Sequence, residues 1–398
     1  MSNTDYYFHK PGTPGSGAVL DVGLRCPHSC KFCYYSFYTS PEDQFKALRQ
    51  SQFRPVDECL EILSHIADYG LKHVDVTGGE PTMHPDIVKI TRYAAKLGLG
   101  LRIITLGQFL MRKQSREQTL LEELLDAGVA DFLFSVHAVN QTQFREFTGG
   151  AWGKLYSAMQ YLQRIGFQYG VNTVVFRDNI ELLPKIANVS AGLGAYIHNF
   201  ILFNAYHRWA KVPQIAEMQP LYQDIENPLK EAVKILVSRG VAVNIRYAPM
   251  CAVKGLTRHV VGVTGVALDP YEWRNRACNY DREPAYCAQP ISLNADGVLV
   301  NHELAYKNGV TKGGFSYFAV RGEDFKIFPE ICRTCAALSV CDGIDPRYAD
   351  RHGLSAFSPY ASFKTCAALA HERVSYRAPF FVKMGQRPDM KSIMNFGS

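Results

Sequence analysis

The sequence predicts an α/β fold: a partial (β/α)6 barrel followed by a small cysteine-rich domain. Three observations predict it. Short β-branched runs alternate with amphipathic stretches between about residues 19 and 205, glycines follow four of those stretches, and beyond about residue 240 the chain turns to Gly, Pro, Asn and Cys. The strands read as residues 18–24, 73–77, 101–105, 132–137, 170–176 and 197–203. Apolar residues recur at helical spacing in 56–69, 85–97, 118–127, 154–165 and 180–191. Gly70, Gly98, Gly128 and Gly166 stand where helix C-caps belong. After residue 205 an aromatic and basic connection, FNAYHRWAKVP, leads to a helix near 228–238 and a strand near 241–247. This divides the chain into a TIM-like core, residues 1–240, and an auxiliary domain, 241–398.

Composition narrows the class. Hydrophobic residues make up 47% and charged residues 20%, and no run nears the roughly 18–20 consecutive apolar residues of a membrane span. The first residues, MSNTDYYFHKPGTPGSG, lack the apolar core of a secretory signal, so a cytoplasmic location is expected. A net charge of +6 with scattered Lys and Arg argues against a nucleic-acid partner. Eleven cysteines in a reducing compartment argue for metal or cluster ligation over disulfides. They form two groups, with Cys59 and Cys251 outside them; Cys59 is read as a packing thiol, and Cys251 as either a buried thiol or a further ligand.

The first group, Cys26-Pro-His-Ser-Cys30-Lys-Phe-Cys33, directly follows the first strand, at the end of the barrel where such folds place their chemistry. Three thiolates hold three irons of a [4Fe–4S] cube and leave the fourth open. A structural zinc needs a fourth ligand, for which only His28 is at hand inside the loop, and a disulfide strands one thiol. The second strand runs into Gly78-Gly79-Glu80-Pro81, where glycines let the backbone approach a ligand.

Cys-x3-Cys-x2-Cys after a first strand, followed by GGEP after the second, resembles the radical S-adenosylmethionine (SAM) superfamily. The resemblance implies a [4Fe–4S] cluster on Cys26, Cys30 and Cys33 whose open iron chelates SAM. It also implies Phe32 near the adenine and a contact from Gly78, Gly79 and Glu80 to the SAM amino group. Further cofactor contacts are expected from strands four and five, at Ser135 and Asn172; His137 is as well read as a structural histidine as a site residue. The chemistry implied is a 5′-deoxyadenosyl radical that abstracts hydrogen.

The second group, Cys332-x2-Cys335-x5-Cys341 with Cys366, resembles the SPASM extension and implies at least one auxiliary [4Fe–4S] cluster, with a four-cysteine zinc site as the alternative. Upstream, Cys278 and Cys287 are candidate ligands of another. There the pattern departs, with His302 and Asp345 in cysteine positions, so a mixed-ligand or incomplete site is the expectation.

Only 25 residues precede Cys26, and no leader-binding domain is read there. The expectation is therefore an oxidoreductase acting on a small-molecule substrate, by dehydrogenation or methyl hydroxylation of a sugar, a cyclitol or a tetrapyrrole such as the bacteriochlorophyllide C-7 methyl group. An electron donor such as flavodoxin or ferredoxin is expected as partner. The alternatives are a ribosomal-peptide-modifying SPASM maturase and a non-catalytic iron–sulfur carrier.

Overall fold

The computed structural model describes residues 17–33, 36, 45–68, 73–115, 117–205, 212–260, 275–277, 327–338, 341 and 343–364. Within them one all-parallel sheet runs in the order β7-β6-β5-β4-β3-β2-β1-β8. Its strands are β1 (Gly17–Asp21), β2 (His73–Thr77), β3 (Gly100–Thr105), β4 (Asp131–Ser135), β5 (Tyr169–Val175), β6 (Ala195–Leu202), β7 (Ala242–Arg246) and β8 (Asn275–Ala277). The helices are α1 (Lys46–Gln50), α2 (Val56–Asp68), α3 (Ile87–Lys96), α4 (Leu120–Asp126), α5 (Gln141–Thr148), α6 (Trp152–Arg164), α7 (Leu183–Gly192), α8 (Pro213–Ala216), α9 (Tyr222–Ser238) and α10 (Pro346–His352). Among the described residues no helix is long and apolar enough to cross a membrane.

The six expected β/α units are present, and β7 and β8 widen the sheet at its two edges. β7 lies beyond residue 240 yet pairs in register with β6, from Ile197 opposite Ala242 to Ile201 opposite Arg246. α1, α5, α8 and α10 are not read from the sequence, and α9 starts earlier than read. α5 has too few apolar residues for the periodicity to show, since it buries little more than Phe144 and Phe147. α9 starts six residues before Pro228, because Tyr222 and Ile225 continue the buried stripe of Leu229, Ala232 and Leu236.

Side chains alternate along each strand, and here the alternation separates two environments. Val74, Val76, Leu101, Ile103, Phe132, Phe134 and Val171 are fully buried in the apolar layer beneath the helices. The intervening positions face the barrel interior and are polar at several strands: Asp75, Arg102, Asp131, Asn172 and Asn199.

At the N-terminal end of the strands these interior groups close the barrel floor. Arg102 donates to both oxygens of Asp75, at 2.6 and 2.9 Å, and lies 3.9 Å from Asp131, which accepts from Tyr196 Oη at 2.7 Å. Tyr196 reaches inward because it is the extra residue at an irregularity where Tyr169 pairs with Ala195 but Gly170 pairs with Ile197. Burial opposes the Arg102 charge, yet Asp75 beside it holds the guanidinium protonated. Burial pushes Asp131 up to about 7, with Asp75 acting in the same direction and Arg102 and Tyr196 against.

A second apolar cluster joins β5, β6 and β7 to α7, α9 and the segment that carries the second cysteine group. Tyr348 of α10 packs on Tyr222 of α9 at 4.4 Å between ring centroids, and Phe357 closes against both. Cys332, Cys335 and Cys341 are thereby fixed to the β7 side of the barrel.

Candidate active site

The loop after β1 carries Cys26, Cys30 and Cys33 and is gripped from two sides. On one side α5 lends its last carbonyls: Ser29 N–H donates to Thr148 O at 2.9 Å and Lys31 N–H to Phe147 O at 3.0 Å. On the other, the GGEP turn after β2 donates Gly79 N–H to Gly23 O at 2.8 Å and Glu80 N–H to Arg25 O at 3.0 Å. The approach is so close that a Cβ at Gly79 would sit 2.1 Å from Arg25 O. Backbone cannot yield as a flexible side chain does, so Gly79→Ala is expected to displace the cysteine loop. Iron bound at this loop after anaerobic reconstitution should fall by about half or more; an unchanged iron content would refute the clamp.

Glu80 ties three elements together. Its carboxylate accepts from Thr82 Oγ1 and Thr105 Oγ1, both at 2.6 Å, and from Leu106 N–H at 3.1 Å, while His28 Nε2 lies 3.7 Å away, beyond hydrogen-bond length. Burial pushes its pKa up, but His28 and the Thr105 and Thr82 hydroxyls outweigh burial and hold the carboxyl below its ordinary range. Glu80 is therefore a buried anion that locks the cysteine loop, the GGEP turn and β3 together.

The three thiols form an electrostatic unit. Burial pushes Cys26 up to about 12, with Glu80 and then Cys33 adding to it. Cys30 is pushed well up, first by burial and then by Cys33 and Cys26. Three electrostatically coupled thiols partly withdrawn from water favour a bound cation, which removes their protons outright, so the donor set fits an iron–sulfur cluster.

Beside the loop, the Phe32 ring stands edge-on to His137 at 4.3 Å and packs at 5.3 Å from Phe176, which in turn meets Phe147 at 4.9 Å. Burial pushes His137 down to about 3, and its Nδ1 accepts from Val174 N–H at 3.2 Å, so it is a neutral Nε2–H tautomer. The reading of His137 as satisfied by backbone is the one seen. Burial likewise pushes His198 down to about 3, with His137 a lesser contributor. Thr173 gives its proton to Val136 O at 2.6 Å, so His198 Nε2 donates to Thr173 Oγ1 at 2.9 Å.

The sign of the pH effect follows. Folded His198 refuses a proton until about pH 3, while the unfolded chain takes one below about 6.5. Its contribution to stability is full above 6.5 and is lost as pH falls towards 3. The gap in melting temperature between the wild type and His198→Gln should therefore narrow over that range; a constant gap would refute a neutral His198.

Ser135, Asn172, Asn199 and Asn244 stand opposite one another across β4 to β7, Ser135 at the C-terminal end of β4 and the three asparagines mid-strand. Asn199 Nδ2 donates to Asn172 Oδ1 and Asn244 Nδ2 to Asn199 Oδ1, each at 2.8 Å. Ser135 and Asn172 are expected from the sequence as cofactor contacts; Asn199 and Asn244 are not. Their signal was an amide at an inward position of an otherwise apolar strand.

In the C-terminal segment Cys332, Cys335 and Cys341 line one cavity, as their spacing predicts, and Cys251 lines it too. Asp345 is engaged elsewhere: its carboxylate caps α10 by accepting from Arg347 N–H at 2.8 Å and also takes a bond from Gln219 Nε2. Cys59 is fully buried in α2, a packing thiol as expected. Cys278, Cys287, His302 and Cys366 lie outside the described residues, as do Gly70 and Tyr206 to Trp209.

Residues 20–189 match the profile of the Radical SAM superfamily. Among curated relatives, the PqqA peptide cyclase of Methylorubrum populi is 30% identical over 205 residues, covering 51% of this chain and 49% of that protein. The PqqA peptide cyclase of Bradyrhizobium diazoefficiens is 24% identical over 331 residues, covering 80% and 77%. The match spans about half the length of the first of these relatives. Among solved structures, SuiB of Streptococcus suis bound to S-adenosylmethionine overlaps 58% of this chain and 50% of its own at 16% identity and a TM-score of 0.46, too slight a likeness to bear on fold or function.

The relatives correct one expectation. A small-molecule substrate, whether sugar, cyclitol or tetrapyrrole, was read from the short segment before Cys26, in which no leader-binding domain is read. The matching relatives are named for cyclising a peptide. The motif reading stands: with its three-cysteine loop, its GGEP turn and the match over residues 20–189, the chain carries a radical SAM domain.

Proposed function

We propose that this chain is a peptide-modifying radical SAM enzyme, a maturase of a ribosomally made precursor peptide. The observation that carries the reading is the alignment with the Bradyrhizobium diazoefficiens PqqA peptide cyclase. It runs through 80% of the chain, well past the matched domain and towards the second cysteine group.

The family implies a [4Fe–4S] cluster and SAM. Cys26, Cys30 and Cys33 are the residues to hold the cluster, leaving one iron to SAM. When bound, the pair supplies a carbon radical able to remove hydrogen from an unactivated C–H bond. The chain's part is positioning and exclusion of water. α5 and the GGEP turn fix the cysteine loop. Phe32, Phe147, Phe176 and the neutral His137 wall it with groups that carry no exchangeable charge. The row from Ser135 to Asn244 presents hydroxyl and amide groups, which both donate and accept, to a ribose or to a peptide backbone. Phe32, Gly78, Gly79 and Glu80 keep their assignment to the SAM side of the site. Cys332, Cys335 and Cys341 are assigned to an auxiliary cluster.

The test uses the anaerobically reconstituted chain with SAM, dithionite and a synthetic copy of the peptide encoded by the short reading frame nearest its gene. The expected product is a peptide lighter by two hydrogens, formed together with 5′-deoxyadenosine. Release of 5′-deoxyadenosine that the peptide neither stimulates nor accompanies with a mass change would contradict the reading.

A further inference from the structure

Cys251 is separated by 80 residues from the nearest cysteine of the Cys332-x2-Cys335-x5-Cys341 group, and nothing in its local sequence marks it. The fold brings the two together. Cys251 sits in a single 3-10 turn, Met250–Val253, shortly after β7, and its side chain lines the same cavity as Cys332, Cys335 and Cys341. The turn is bonded to the cysteine segment: Met250 N–H donates to Cys341 Sγ at 3.4 Å, and Tyr360 Oη donates to Met250 O at 3.2 Å while Tyr360 N–H donates to Cys335 Sγ at 3.4 Å. Gly343 N–H is a second donor to Cys341 Sγ, at 3.4 Å, and the Ser358 backbone is bonded to the Cys251 thiol.

These features separate Cys251 from a packing cysteine. Cys59 shows what packing looks like here: it is fully enclosed by apolar side chains. Cys251 is only partly buried and opens into a cavity with three other thiols. Backbone amides aimed at sulfur stabilise thiolates, and such bonds are among the features that set the potential of a cluster. The chain also strains to deliver the turn. Tyr247, between β7 and Cys251, is the single non-glycine with positive φ among the described residues, at 67°.

We propose that Cys251 is an iron ligand, completing with Cys332, Cys335 and Cys341 a four-thiolate [4Fe–4S] site that closes without Cys366. The proposal rests on the reading of the second cysteine group as a cluster site. A closed site of this kind transfers electrons and binds no SAM. It also cross-links the strand end of β7 to the C-terminal segment, so that loading the cluster and docking that segment become one event.

The test begins from the full chain with Cys26, Cys30 and Cys33 all changed to alanine, so that remaining iron reports the C-terminal part alone. After anaerobic reconstitution this parent should hold about four irons per chain with the EPR signal of a reduced four-iron cube. Adding Cys251→Ala should lower iron to about three or fewer and convert the signal to the three-iron type or abolish it, while Cys366→Ala should leave both unchanged. Retention of iron and signal in Cys251→Ala, or their loss in Cys366→Ala, overturns the ligand assignment. A parent without iron overturns the cluster reading beneath it. In the unmutated chain, alkylation mapped by mass spectrometry supplies a check free of folding effects. Cys251 should be protected when loaded and labelled after chelation, and equal labelling in both states overturns the proposal.

Discussion

Cys30→Ala is expected to abolish formation of 5′-deoxyadenosine from SAM, down to the rate of a protein-free control. Cys30 packs against the hydrophobic core. Burial and both neighbouring cysteines act on it together, so it stands at the centre of the donor set. Its removal leaves two thiols, which cannot hold three irons of a cube. The fold should survive, because the loop's backbone is held by Thr148, Phe147, Gly23 and Arg25 through main-chain bonds that alanine retains. Liquid chromatography of the anaerobic reaction checks the loss, and circular dichroism checks the fold. Activity within tenfold of the unmutated chain would mean that another residue carries the cluster.

Arg102→Met is expected to be the most destabilising single change away from the cysteines, by about 3–5 kcal/mol. The guanidinium is buried at the barrel floor, donates twice to Asp75 and lies close to Asp131. Without it Asp75 is an anion nearly sealed from water, at 4% exposure, and its charge has no counter-ion there. A loss of this size lowers the melting temperature by roughly 10 °C in a domain of this length. Adding Asp75→Asn to Arg102→Met removes the stranded charge and should recover a substantial part of the loss, which a double-mutant cycle of melts would show. A destabilisation below about 1 kcal/mol would show that the floor is hydrated. The floor lies at the end of the strands opposite the cysteine loop, so the variant's residual folded fraction should keep its cluster.

The fold was legible because its units announce themselves locally. His73–Thr77 is read from the sequence with the bounds seen in the structure, and Gly98, Gly128 and Gly166 each take the left-handed conformation that ends a helix. The cysteine loop and the GGEP turn were equally plain, since both are contiguous motifs. What stayed hidden depends on register or on long-range packing. Asn199 and Asn244 join Asn172 only through the pairing of β5, β6 and β7, which no single strand encodes. α5 grips the cysteine loop through backbone carbonyls, and a carbonyl has no sequence signature. Asp345 stands where a cysteine is expected, and its use as a helix cap shows only once α10 is seen to start after it. For Cys251 the sequence left a buried thiol and a further ligand both open, because sequence distance hid a neighbourhood that the β7 turn creates.

The central claim is that one iron at the N-terminal loop is left for SAM by a protein that offers only three thiolates there. The most direct measurement is EPR of the reduced chain with Cys332, Cys335 and Cys341 changed to alanine, recorded before and after SAM is added. The account predicts a cluster signal that SAM perturbs, with 5′-deoxyadenosine released as the signal decays. A signal indifferent to SAM, or zinc in place of iron at Cys26, Cys30 and Cys33, would contradict it.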